Sequence, residues 1–251
     1  LNLNELLNQQ KPLSDPTEHD ELLFIIVHQV YELWFKQIKH ELKRVQAAFR
    51  ENDTARVIDG FKRILTIFKT LVSQLDILET MTPVSFNSFR EKLQTASGLQ
   101  SVQFCEIEFI LGKKDASVLQ RFAGNSKAYK TLAELIEIPS LWLDFVKFLT
   151  KQGITIPEKV LNQDVRNATS PSPELQQSLI KIYQTRSPIM QLCERFVDLD
   201  EGLQEWRYRH VKMVQRTIGS KMGTGALGSP YLLKTLNTPL FPDLWAIRVE
   251  L

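Results

Sequence analysis

An all-α fold follows from three features of the sequence. Apolar residues recur at helical spacing along most of the chain, strand-like alternation is rare, and glycine and proline gather in a few short stretches. Those stretches are Pro12 to Pro16, Gly153 to Pro157, Ser170 to Pro173 and Gly219 to Pro230. The predicted architecture is a helical bundle of long antiparallel helices with shorter connecting helices, in one domain over residues 1–251.

The first long helix is expected to start near Thr17, with Thr17 as N-cap and Asp20 three residues on in a capping-box arrangement. Leu23, Val27, Val30, Trp34, Ile38, Leu42, Val45 and Phe49 follow at steps of three or four and share one face. A second stripe, Phe24, His28, Tyr31 and Phe35, makes the first half of this helix apolar on two sides, so His28 points into the protein or a cavity. A second helix is predicted over about 55–80, through Val57, Phe61, Ile64, Phe68, Leu71, Leu75 and Leu78. Shorter helices are predicted at 84–93, 101–111, 128–136 and 139–151, and 153–173 reads as a long connection. The last long helix carries Ile189, Leu192, Phe196, Leu199, Leu203, Trp206, His210, Met213 and Thr217 at alternating steps of three and four. This is a heptad-like seam with His210 where an aliphatic side chain is expected.

Composition excludes several functions. With 251 residues and 43% hydrophobic residues the chain can bury a core. A formal net charge of +2, from 31 basic and 29 acidic residues, argues against a nucleic-acid groove or an anionic membrane surface. Cys105 and Cys193 lie far apart in no ligand-like spacing, which fits a reducing cytoplasm. The longest apolar run, Leu22 to Val27, is too short to span a bilayer, and no basic stretch precedes an apolar one at the N-terminus, so neither anchor nor leader is expected.

Four histidines are candidates for chemistry. His19 stands among acids in a first turn and His40 between Lys39 and Glu41, and both are expected in solvent. His28 and His210 are expected inside, where an unsatisfied imidazole costs about 1–3 kcal/mol. The residues leave two readings open: core histidines bonded to backbone or acids, or one histidine ligating a metal. HxxxH, HExxH and zinc-like Cys/His spacings are absent. A site of one protein histidine and a macrocycle would be haem, its iron held by a single imidazole. Arg207, Arg209, Lys212, Arg216 and Lys221 flank His210, either as a solvated basic face or as partners for propionates. Arg90 is a natural grip for a substrate carboxylate if it lines a pocket.

Four segments then carry a resemblance. Asp20-Glu-Leu-Leu-Phe-Ile-Ile-Val-His28-Gln-Val-Tyr-Glu-Leu-Trp34, Leu78-Glu-Thr-Met-Thr-Pro83 with Phe86-Asn-Ser-Phe-Arg90 and Ala96-Ser-Gly-Leu-Gln-Ser101, Trp206-Arg-Tyr-Arg-His210 running into Gly219-Ser-Lys-Met-Gly-Thr-Gly225, and Phe241-Pro-Asp-Leu-Trp-Ala-Ile-Arg248 resemble, in order, the signatures of the tryptophan 2,3-dioxygenase family. The resemblance implies a haem b oxidoreductase that cleaves the indole C2–C3 bond of L-tryptophan with O2 to N-formylkynurenine, in tryptophan catabolism through the kynurenine pathway. It implies His210 as axial iron ligand, His28 as the distal histidine on the indole nitrogen, and Arg90 on the substrate carboxylate. Thr224 would hold the amino-acid end, and Phe24, Phe86 and Leu93 would wall the indole pocket. Ser97 and Gly98 would sit by the haem edge and oxygen site, with Tyr31 and Trp206 packed near the haem. A cytoplasmic homotetramer, a dimer of dimers, is implied too. The segment Gly223-Thr-Gly-Ala-Leu-Gly-Ser229 departs from the family's Gly-Thr-Gly-Gly-Ser-Ser-Gly, which keeps open a substituted tryptophan or indole as substrate of a biosynthetic relative. A non-catalytic haem-binding module is the third reading; the presence of Arg90 and Thr224 counts against it.

Overall fold

A computed structural model describes residues 1–93, 101–219, 236 and 238–251. The described residues form helices and no strand. In chain order these are α1 (Leu3–Leu7), α2 (His19–Glu51), α3 (Thr54–Leu78), α4 (Pro83–Phe89) with a 3-10 turn over Arg90–Leu93, α5 (Val102–Leu111), α6 (Ser117–Gln120), α7 (Ser126–Ile136), α8 (Leu141–Lys151), α9 (Glu158–Leu161), α10 (Pro173–Gln184), α11 (Met190–Ile218) and α12 (Pro242–Ala246), followed by a 3-10 turn over Ile247–Glu250.

Thr17 does not cap α2, contrary to expectation: it is exposed, and the helix begins two residues later. Ser14 and Glu21 organise this start instead. The Ser14 hydroxyl accepts from the Glu18 N–H at 2.8 Å. The buried Glu21 carboxylate accepts from the Leu13 and Ser14 N–H groups, at 2.7 and 3.0 Å, and from the Ser14 hydroxyl. Burial raises the Glu21 pKa, but these three bonds outweigh it and leave the carboxyl below its ordinary value. At the other end Asn52 takes a left-handed conformation (φ 62°) and the Asp53 N–H reaches back to the Ala48 carbonyl at 2.8 Å, closing the helix. The Asp53 carboxylate then accepts from the Arg56 N–H at 3.0 Å and opens α3. Side-chain caps from Thr82, Asn125, Ser140 and Ser172 start α4, α7, α8 and α10.

The chain's contacts divide into two compact units. One comprises Leu1–Trp34, Phe68–Ser101 and Gln204–Asn237; the other comprises Phe35–Ile67, Val102–Leu203 and Thr238–Leu251. The second unit holds a cluster of aromatic rings centred on Phe196, which lies 4.7 Å from Phe145, 4.8 Å from Phe241, 5.0 Å from Phe61 and 5.5 Å from Trp142 between centroids. These side chains are fully buried, and each contributes about 1.5–3 kcal/mol by leaving water. Buried charged side chains in this unit make hydrogen bonds. Asp144 accepts two bonds from Arg50, at 2.7 and 2.9 Å, and one from Gln46 at 2.9 Å. Lys114 donates to the carbonyls of Ile136 and Ile138 at the end of α7, and burial takes its pKa down to about 8. Asp200, with no solvent exposure, accepts through one oxygen from the Leu240 N–H (2.8 Å), the Phe241 N–H (3.2 Å) and the Trp245 indole N–H (2.9 Å).

The predicted helices at 55–80, 84–93, 101–111, 128–136 and 139–151 correspond to α3, α4 with its 3-10 turn, α5, α7 and α8. The connection over 153–173 contains only the single turn of α9. α10 is absent from the sequence reading, although Ser172 and Pro173 ahead of Leu175, Leu179 and Ile182 carry a start signal and an apolar stripe.

Candidate active site

The candidate site lies in the first unit, and α2, α4 and α11 supply its described side chains. His28 and Phe24 are one turn apart on α2, with ring centroids 4.0 Å apart. Phe24 also meets Phe86 at 5.7 Å and Phe89 at 5.8 Å, and the latter two, three residues apart on α4, meet edge-on at 5.6 Å. Three phenyl rings thus form a wall that leans on His28. Phe89, fully buried, was not singled out in the sequence; its i,i+3 spacing from Phe86 was the available signal.

The His28 ring is held by its own helix. Nδ1 lies 2.8 Å from the Phe24 carbonyl oxygen. A carbonyl only accepts, so Nδ1 carries the proton and Nε2 offers a lone pair. Burial lowers the His28 pKa, opposed by the Phe24 bond and by the charge of Glu32 one turn on, so the ring is neutral near pH 7.

His210 occupies α11 one turn after Trp206, whose ring lies parallel to it (interplanar angle 3°) with centroids 5.5 Å apart. Tyr31 of α2 packs on Trp206 at 6.2 Å and donates its hydroxyl proton to the Leu71 carbonyl at 2.5 Å. His210 retains intermediate accessible area on α11. Burial first, and His28 second, pull its pKa down to about 4. The two imidazoles, 182 residues apart in sequence, therefore lie within each other's electrostatic reach.

Arg90 and Leu93 sit on the 3-10 turn after α4, both half-buried, and the Arg90 N–H bonds the Phe86 carbonyl. Ser97, Gly98 and Thr224, and with them the Gly223–Ser229 segment, lie outside the described residues. His19 and His40 are exposed, as the sequence suggested. Of the basic residues flanking His210, Arg209 bonds Asp76 at 2.6 Å and Glu79 at 3.4 Å, and Arg216 bonds Glu79 at 3.3 Å. The protein's own carboxylates occupy these two arginines. Among the described residues no group of three or more His, Cys, Asp or Glu side chains could hold a metal ion, and no helix is long and apolar enough to cross a membrane.

These residues fit a haem iron. A ligating imidazole must be neutral and have a free nitrogen. His210 is neutral down to about pH 4 and retains accessible area.

A protein helical throughout its described residues, with two histidines in one unit and one of them holding its Nδ1 proton against a main-chain carbonyl, is the class these features define. The family model for tryptophan 2,3-dioxygenase matches residues 1–141 and 155–251. The chain is 53% identical over 252 residues to the tryptophan 2,3-dioxygenase of Herpetosiphon aurantiacus, covering 100% of this chain and 96% of the relative. It is 48% identical over 249 residues to that of Anaeromyxobacter sp. (99% and 93%) and 40% identical over 255 residues to that of Arthrobacter sp. (100% and 90%). The chain belongs to the tryptophan 2,3-dioxygenase family.

Proposed function

We propose that this chain is a haem b-dependent dioxygenase that opens the indole ring of L-tryptophan between C2 and C3 with both atoms of O2, giving N-formylkynurenine. The observation that carries the reading is the pair of neutral imidazoles with different tasks. His210 would hold the iron. His28, with its proton committed to the Phe24 carbonyl, would accept the indole N–H at Nε2 and so orient C2 and C3. Phe24, Phe86 and Leu93 would wall the ring and exclude water. Arg90 would pair with the substrate carboxylate, Thr224 would hold the amino-acid end, and Ser97 and Gly98 would border the oxygen site. Haem, when bound, supplies the activation of O2.

An assembly of identical subunits, a dimer of dimers in a cytoplasmic setting, completes the reading. Supporting it, Leu22, Ile26 and Leu33 form an exposed apolar stripe on α2, and Leu3, Leu6 and Leu7 of α1 are exposed as well.

The test is single-turnover oxidation. Reduced, haem-reconstituted protein is mixed with L-tryptophan and labelled O2, and the product is weighed by mass spectrometry. Two labelled oxygen atoms in N-formylkynurenine are expected; a product with one atom, or none, overturns the reading. Arg90→Ala is expected to raise KM with haem content intact, and an unchanged KM refutes the carboxylate role. His210→Ala is expected to lose the haem spectrum, and a normal one refutes the axial role.

A further inference from the structure

We infer that Trp206 is a positioning residue for the His210 imidazole, and that Tyr31 in turn fixes Trp206 against the backbone of α3. The inference rests on reading His210 as the axial ligand. A ligating histidine ordinarily has its ring plane set by donating the second N–H to a carboxylate or carbonyl. No such bond joins His210 to a described residue. What it has instead is a parallel indole face. The 3° interplanar angle and 5.5 Å separation describe an offset stack between residues i and i+4 of α11, a favoured arrangement for flat rings. Turning the imidazole out of that plane loses the overlap.

Trp206 cannot follow such a turn, because it is itself buried and packed on Tyr31 at 6.2 Å. Tyr31 is anchored by its hydrogen bond to the Leu71 carbonyl. Burial pushes its pKa up to about 12, against a polar contact from Trp206 and the charge of Arg209, so the hydroxyl remains a donor throughout the physiological range. A continuous path runs from the main chain of α3 through Tyr31 and Trp206 to His210. One residue before His210, Arg209 ties the same turn of α11 to Asp76 of α3 and to Glu79 just beyond its end. The axial ring plane is therefore set by aromatic packing.

Resonance Raman of the reduced, reconstituted protein reads the iron–imidazole stretching band, and transfer of haem to excess apomyoglobin reads its release. Trp206→Leu keeps an apolar side chain but removes the flat face. It is expected to shift and broaden the band and to speed haem release about 10-fold. Trp206→Phe restores a ring and is expected to lie near wild type, and Tyr31→Phe shifts the band less than Trp206→Leu but in the same direction. A band and release rate in folded Trp206→Leu equal to wild type overturn the inference. Should that variant not fold, an unmoved band in Tyr31→Phe overturns the anchored stack. A band absent from the wild type as well refutes the axial reading of His210, whereas a wild-type band lost in His210→Ala yet unmoved in Trp206→Leu refutes the stack alone.

Discussion

Replacing Asp200 tests how the C-terminal segment is held to α11. One buried oxygen of this carboxylate receives the N–H groups of Leu240, Phe241 and Trp245. Asp200→Ala removes all three bonds at once. Leu240 and Phe241 are buried, so their amides have no water to turn to, and each orphaned donor costs about 1–3 kcal/mol. Trp245 is 37% exposed, and water replaces its lost partner at little cost. The expected loss is about 2–6 kcal/mol, a large share of the 5–15 kcal/mol that holds a typical domain together, before any cavity is counted. Asp200→Asn keeps one acceptor oxygen and is expected to cost about 1–2 kcal/mol. Urea denaturation followed by far-UV circular dichroism measures both, at fixed pH and salt. An Ala variant within about 1 kcal/mol of wild type refutes the donor count, and an Asn variant as unstable as Ala shows that charge rather than acceptor geometry holds the segment.

Other predictions concern separate sites. A Cβ added at Gly60 would lie 2.3 Å from Val45 Cγ2, and a β-branched side chain on a helix has little freedom to turn away. Gly60→Ala is therefore expected to destabilise by about 1–2 kcal/mol despite the better helix propensity of alanine, and adding Val45→Ala to recover the propensity gain; an additive double variant refutes the clash. The folded-state pKa of Glu21 lies below its unfolded value. Its contribution is thus fully present above the unfolded pKa and is lost as pH falls through the folded one. Thermal midpoints of wild type are expected to fall through that acidic window more steeply than those of Glu21→Gln, and parallel curves refute this. His19→Ala and His40→Ala, both in solvent, are expected to keep haem uptake and turnover within about twofold of wild type; a larger loss shows a role that neither exposure nor spacing revealed.

The helices and the two interior histidines were legible because burial leaves a periodic trace. The seam from Leu192 to Met213 is buried except at His210, which keeps intermediate accessible area. The start of α2 is not legible locally because its capping reaches outside the helix. Ser14, five residues before His19, meets Glu21 through chain geometry that a local pattern does not encode. The sequence does not set α10 apart, because Ser170 to Pro173 reads equally as loop and as helix start. Within the site, the positions of His28 and His210 were readable, but the tautomer of His28 and the tilt of Trp206 were not. Both depend on distances of a few tenths of an ångström between side chains and a backbone that sequence alone leaves unspecified.

The bond that orients His28 also bears on how this pocket can change over evolutionary time. Its acceptor is the carbonyl of Phe24, an atom every amino acid carries. Substituting the side chain at 24, or at Phe86 or Phe89, can reshape the wall without removing the acceptor, provided α2 stays helical. On the proposed function, a lineage is thus free to reshape the wall for a differently decorated ring while inheriting the same Nε2 acceptor.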